Sequence, residues 1–321
     1  MRALAAGATP AVYYSRTARM RARGDTCVGS SRTLRAPSRP RIRPPARPAA
    51  DAAAARHHRS LGGFLSANKW FVRPQPRPSA ALRLICLPYA GGSAATYVPW
   101  AAQLPADVEL IAVQPPGRAS RIGERPHAEM NALVADLAAV FHEVSDKPYV
   151  LFGHSLGSRV AFEFTRQCPG FGLPQPRLLI GSGSRAPHFP SVRESVHDLP
   201  EAAFVDKLRE LNGTPEEVLN NRELIQFLIP LLRADFKIAD VYRAAPAPLP
   251  CPLVVLAGTE DWEVTREAVE GWRELSENGC DIHWIPGGHF FVEHNRALVL
   301  EKVNAAVARV AQAVRFERVV A

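Results

Sequence analysis

The stretch that most constrains this chain is Val150-Leu151-Phe152-Gly153-His154-Ser155-Leu156-Gly157-Ser158-Arg159. Apolar residues with strand character end at Phe152, a helix-type pattern begins at Leu156, and Gly-x-Ser-x-Gly lies between them. The motif sets a serine on a tight strand-to-helix turn. Glycines two residues either side let neighbouring backbone approach with no Cβ in the way. Alone the motif is weak, since on the order of 0.1 matches arise by chance in a chain of ordinary glycine and serine content. Its surroundings must supply the rest.

Around this turn the chain alternates as an α/β protein does. Strands are expected at Leu82–Leu87, Val108–Val113, 149–152, 177–180, 252–257 and 281–285. Helices are expected at 97–104, 130–144, 156–168, 265–277 and 296–314. Between the strands at 177–180 and 252–257 the rhythm changes to helices alone, at Glu201–Leu211, 215–220 and 222–242, with Pro230 expected to break or kink the last. A purely helical insertion of this kind, about 197–245, sits where a lid would be. The predicted fold is thus a mostly parallel central sheet with helices on both faces and a helical lid insertion, in a domain spanning 64–318.

An acyl-transfer serine needs a base, an acid to orient that base, and donors for the developing oxyanion. In a sheet of this kind the three side chains come in the order serine, acid, histidine, each on a loop at the C-terminal end of a strand. Ser155 is the candidate nucleophile. Asp261 follows the 252–257 strand on a glycine-containing turn, with Glu260 and Glu263 as rival acids. His289 follows the last strand in Gly287-Gly288-His289, with His154, His283 and His294 as rivals. The expected oxyanion donors are the backbone N–H groups of Leu156, next to the nucleophile, and of Ala90, in Ala90-Gly91-Gly92 after the first predicted strand. Walker, zinc-protease and dinucleotide-binding motifs are lacking, so nucleotide, cofactor and metal chemistry have no support.

The net charge of +8 suggests a polyanionic partner, but its distribution does not. Residues 1–60 hold 13 of the 39 basic residues against Asp25 and Asp51, or +11, which leaves 26 basic and 29 acidic residues, or −3, in the remainder. Rich in Arg, Pro and Ala, this segment lacks the apolar content to offset ordering entropy and is expected to be a disordered tail or sequence upstream of the true start. A transit peptide or a basic arm for nucleic acid or membrane surfaces stays open. No aromatics interleave with the arginines of 31–59, so a base-stacking nucleic-acid site is not expected. The five cysteines are scattered and odd in number, which points to reduced thiols and a cytoplasmic location. No apolar run is long enough to span a membrane, and no signal peptide is expected.

From about residue 68 to 314 the chain resembles the type II thioesterases, which stand alone beside polyketide and nonribosomal peptide synthases. The resemblance is carried by Asn68-Lys69-Trp70-Phe71, Leu87-Pro88-Tyr89-Ala90-Gly91-Gly92-Ser93, Gln114-Pro115-Pro116-Gly117-Arg118 and Gly153-His154-Ser155-Leu156-Gly157. Ser182-Gly183-Ser184-Arg185-Ala186-Pro187, Leu232-Arg233-Ala234-Asp235-Phe236 and Gly287-Gly288-His289-Phe290-Phe291 extend it. It implies an α/β-hydrolase fold with a helical lid, a Ser155–Asp261–His289 triad, and Ala90 and Leu156 as oxyanion donors. The implied reaction is hydrolysis of acyl thioesters on the phosphopantetheine arm of acyl or peptidyl carrier proteins, which removes aberrant or stalled groups from synthases. A broad acyl-CoA thioesterase or carboxylesterase would use the same triad. The chain departs from the family pattern in residues 1–60, which have no counterpart, and in Trp262, which replaces a small residue after the acid.

Overall fold

A computed structural model describes residues 69–320. The basic segment 1–60, the domain start near Phe64, and Asn68 lie outside the described residues. In chain order the elements are β1 (Phe71–Val72), β2 (Leu82–Leu87), β3 (Val108–Val113), α1 (Met130–Val140), β4 (Tyr149–His154), α2 (Leu156–Phe171) and β5 (Leu178–Ser182). There follow α3 (Glu201–Leu211), α4 (Glu216–Leu219), α5 (Arg222–Val241), β6 (Leu253–Gly258), α6 (Arg266–Glu270), β7 (Cys280–Ile285), α7 (Phe291–His294) and α8 (Arg296–Val320). The seven strands make one sheet in the order β1-β3-β2-β4-β5-β6-β7. All neighbours are parallel except β1 on β3.

The strand sequences explain this layering. Every residue of β2, β3 and β4 is buried, as strands covered on both faces require. Alternate side chains enter two cores. Leu82, Leu84, Val150 and Phe152 pack with Val299, Val303 and Val307 of α8. Ile85, Leu87, Tyr149 and Leu151 pack with Leu133 and Leu137 of α1 and Val160 and Phe164 of α2. The two charges inside these apolar runs, Arg83 and Glu109, are register partners across β2 and β3. They pair at 3.0 Å, and a slip by one residue would part them.

The chain runs from β2 out to β3, then returns to place β4 on the other side of β2. Connections therefore diverge at the C-terminal ends of β2 and β4, where open α/β sheets form a crevice. The sheet, its two helical faces and its connectivity make the α/β-hydrolase fold. Helices α3, α4 and α5 have a core of their own, including Phe204, Leu208, Ile229, Leu232 and Phe236.

Local differences from the sequence-based expectation have identifiable causes. β1 is two residues long, too short for any periodicity to announce. The helix expected at 97–104 is instead two 3-10 turns, Ala94–Thr96 and Val98–Gln103, with Pro99 in the first turn of the second. The helix expected at 265–277 is α6 followed by a 3-10 segment, Gly271–Leu275. There Trp272 is fully buried and donates its indole N–H to the Ser184 carbonyl at 2.9 Å. Pro230 does not end α5, whose apolar side is held by residues on both sides of it, Ile229 and Leu231. No helix among the described residues is long and apolar enough to cross a membrane.

Phe152, the last large side chain before the serine turn, lies edge-on to Trp100 at 5.0 Å between ring centroids, and both are fully buried. Trp100→Ala is expected to lower unfolding free energy by about 3–5 kcal/mol, measured by urea denaturation.

Candidate active site

The site begins with the turn after β4. Ser155 has φ 53° and ψ −114°, a backbone conformation that a non-glycine residue holds only where its surroundings enforce it. Here the enforcement is close packing. A Cβ on Gly153 would run into the Gly157 carbonyl, and a Cβ on Gly157 would run into the Leu87 carbonyl at the end of β2. Both glycines are therefore required by space. The Ser155 N–H donates to the Ser182 carbonyl at 2.8 Å, which fastens the turn to β5.

Three of the five sequence-predicted residues meet through their side chains. The hydroxyl of Ser155 lies 2.9 Å from Nε2 of His289, and Nδ1 of His289 lies 2.8 Å from Oδ2 of Asp261. The other Asp261 oxygen accepts the Glu263 N–H at 3.0 Å. The acid and histidine loops are stitched together by Thr259 N–H to the Ile285 carbonyl (2.9 Å) and Glu260 N–H to the Gly287 carbonyl (3.0 Å). With Nδ1–H donating to Asp261, Nε2 is left as the acceptor for the Ser155 hydroxyl proton. The arrangement can abstract a proton from Ser155 and stabilise the imidazolium that results.

The rivals sit elsewhere. Glu260 is exposed, and His294 is exposed at the end of α7. His283 lies within β7, in register with Leu256. His154 is fully buried, 2.9 Å from the Ser182 hydroxyl. Burial, and then the neighbouring His289, push its pKa well below the ordinary range, so it stays neutral. Glu263 comes closer, with a carboxylate oxygen 3.9 Å from Nδ1 of His289. Burial disfavours the charged imidazole of His289. The Asp261 hydrogen bond and the charges of Glu263 and Asp261 outweigh it, and the pKa is raised above 6.5. Asp261, Glu263 and His289 also bring possible metal-ligand atoms within 4.8 Å of one another. Nδ1 of His289 and Oδ2 of Asp261 already face each other across a hydrogen bond.

The remaining two predicted residues contribute backbone. The Leu156 N–H opens α2 and is one of the donors that a helix start leaves without an intrahelical acceptor. Ala90 lies in the loop after β2. The next N–H, that of Gly91, donates to Asp235 of α5 at 2.8 Å. Asp235 in turn makes a two-point ion pair with Arg118, at 2.7 and 2.9 Å, and both side chains are buried. Arg118 also donates to the Gly92 carbonyl at 3.2 Å. The Ala90-Gly91-Gly92 loop is thus clamped by groups 26 and 144 residues away in the chain. Sequence reasoning assigned these two residues no role. A pair separated by 117 residues leaves no periodic signal.

Ser155 and His289 open into a cavity of about 50 Å³, bounded by Arg159 and by Leu208, Leu232 and Phe236 of the helical insertion. A larger cavity of about 470 Å³ lies between α8 and the opposite, N-terminal ends of β5, β6 and β7. Its charged side chains are paired with each other, Arg177 with Glu317 and Arg309 with Asp281.

Residues 82–307 match the model of the thioesterase domain. The chain belongs to the thioesterase family. The gramicidin S biosynthesis protein GrsT of Aneurinibacillus migulanus is 35% identical over 73% of this chain and 92% of its own length. Thioesterase PikA5 of Streptomyces venezuelae is 36% identical over 70% of this chain and 80% of its own. Among solved structures, the type II thioesterase BorB from the borrelidin biosynthetic cluster superposes with a TM-score of 0.67 at 35% identity, covering 74% of this chain and 96% of BorB. ClbQ from the colibactin NRPS/PKS pathway gives 0.68 at 32% identity, covering 73% of this chain and all of ClbQ, 100%. This thioesterase is therefore a thioester hydrolase built on the α/β-hydrolase fold.

Two outcomes are expected from this geometry. In an NMR pH titration the His289 ring should titrate above 6.5, and Glu263→Gln should move its midpoint to lower pH by removing one of the charges that raise it. Asp235→Ala leaves the buried Arg118 unpaired and frees the Gly91 N–H. It should cost about 3–5 kcal/mol of stability in denaturant unfolding.

Proposed function

We propose that this thioesterase hydrolyses acyl thioesters held on the phosphopantetheine arm of acyl or peptidyl carrier proteins, and so clears aberrant or stalled groups from a polyketide or nonribosomal peptide synthase. The observation that carries the reading is the continuous hydrogen-bonded chain from Ser155 through His289 to Asp261 at the foot of a cavity roofed by α3 and α5. The kinship with BorB and ClbQ supplies the synthase context.

In this reading Ser155 is the nucleophile, His289 the general base and Asp261 the residue that orients it. The Ser155 hydroxyl gives its proton to Nε2 as Oγ attacks the thioester carbonyl. The oxyanion that forms is met by the N–H groups of Leu156 and Ala90, each worth roughly 2.7–4 kcal/mol of transition-state stabilisation. Collapse breaks the C–S bond, and the pantetheine sulfur leaves with the proton from His289. Water then attacks the acyl-serine, His289 takes its proton, and the acid is released as the proton returns to Ser155. No cofactor or metal enters this sequence of steps.

The helical insertion, residues 197–245, acts as the lid in this proposal. It supplies Leu208, Leu232 and Phe236 to the acyl cavity and, through Asp235, fixes the oxyanion loop. The catalytic domain runs over 64–318, with 1–60 as a tail outside it. A cytoplasmic setting fits the free thiols of Cys86, Cys168, Cys251 and Cys280.

Ser155→Ala should lower acyl release from a loaded carrier protein by roughly 10⁴-fold or more, followed by mass spectrometry of the phosphopantetheine arm. Undiminished release by that variant would sink the assignment. Faster turnover of matched acyl-CoA than of acyl-carrier would redirect it towards a general acyl-CoA thioesterase.

A further inference from the structure

Arg159 is an ionised side chain that the steps above do not use. It stands four residues after Ser155, one turn along α2 and on the same face, so an acyl chain that passes Ser155 meets it. Its Nε–H donates to the Ser184 hydroxyl at 3.2 Å, and one Nη1–H donates to the Ala239 carbonyl in the last turn of α5 at 2.6 Å. No carboxylate lies within ion-pair distance of it among the described residues, and Nη2 has no hydrogen-bond partner there. Arg159 lines the same cavity as Ser155 and His289.

The surrounding charges do not neutralise it. Arg193 is engaged with Asp240 at 2.9 Å and with Glu263 at 3.6 Å. Glu263 is shared between Arg193 and His289. Burial, then the charges of Arg185 and Arg193, pull the Arg159 guanidinium down to about 9, against the opposing pull of Glu263 and Asp240.

We propose that Arg159 makes the acyl cavity select acyl groups that end in a neutral, oxygen-bearing group and reject those that end in an ammonium, so that aminoacyl thioesters are poor substrates. A hydroxyl or carbonyl oxygen accepts from the unpartnered Nη2 hydrogens. An ammonium in the same place gives up its water and faces an unneutralised cation. The inference rests on the thioesterase chemistry proposed above.

The test uses the full chain and three pantetheine thioesters of equal chain length, butyryl, 3-hydroxypropionyl and β-alanyl, which end in methyl, hydroxyl and ammonium. Rates are divided by each ester's hydroxide-catalysed rate to remove intrinsic reactivity. The native protein should show a kcat/KM for 3-hydroxypropionyl that exceeds the β-alanyl value by roughly tenfold or more. Arg159→Gln should shrink that ratio by about tenfold, and Arg159→Lys should keep most of it. If Arg159 serves only to cap α5, Arg159→Gln lowers all three rates alike and the ratio stands, which overturns the proposal, as does a native preference for β-alanyl. Failure of the native protein to hydrolyse any of the three overturns the thioesterase reading and this inference with it. Butyryl turnover without the charge order overturns this inference alone.

Discussion

Everything at the reactive edge of this protein depends on how closely the start of α2 approaches the end of β2. Gly157 lies against the Leu87 and Pro88 carbonyls, and Gly153 lies against Gly157, with no space for a side chain at either place. That contact forces Ser155 into its positive φ and lifts its hydroxyl out of the sheet. It also brings the first N–H of α2 beside the loop that follows β2, so Ser155 and the N–H groups of Leu156 and Ala90, the proposed oxyanion donors, are set by one packing constraint. The strain of such a residue, of order 1–3 kcal/mol, is offset by the fully buried strands on either side.

A second constraint comes from outside the sheet. The buried Arg118–Asp235 pair joins the loop after β3 to α5 and holds the Gly91 N–H between them. Buried ion pairs contribute little net stability compared with apolar packing, but they tolerate few alternative geometries. Here the pair ties the helical insertion to the Ala90-Gly91-Gly92 loop. A displacement of α5 would therefore be felt at Ala90, and the roof of the cavity and the loop after β2 are mechanically one piece. Arg159 adds a second tie from α2 to the end of α5.

His289 shows how environment sets the charge of a side chain. Burial alone would favour the neutral ring, and two carboxylates reverse the direction. Asp261 accounts for the hydrogen bond and the tautomer. Glu263 acts at longer range, 3.9 Å from Nδ1, and is itself restrained by Arg193. The sequence placed Glu263 among the rival acids, and its distance explains both why it was a credible candidate and why Asp261 holds the closer position.

The amino-acid sequence determined the alternating strands and helices, because burial on both faces leaves continuous apolar runs such as Leu82–Leu87 and Val108–Val113. It also determined the order Ser155, Asp261, His289 on loops at one sheet edge, because parallel strands put all their C-terminal ends on the same side. Short elements escaped it. β1 has two residues, and the 3-10 segments at Val98–Gln103 and Gly271–Leu275 take their form from where Trp100 and Trp272 are buried. The partners of Gly91, Arg118, Arg159 and Glu263 escaped it as well. Their contacts join residues as much as 144 positions apart. A hydrogen bond or a Coulombic field depends on distance in space, and only the packed sheet and its helices fix those distances.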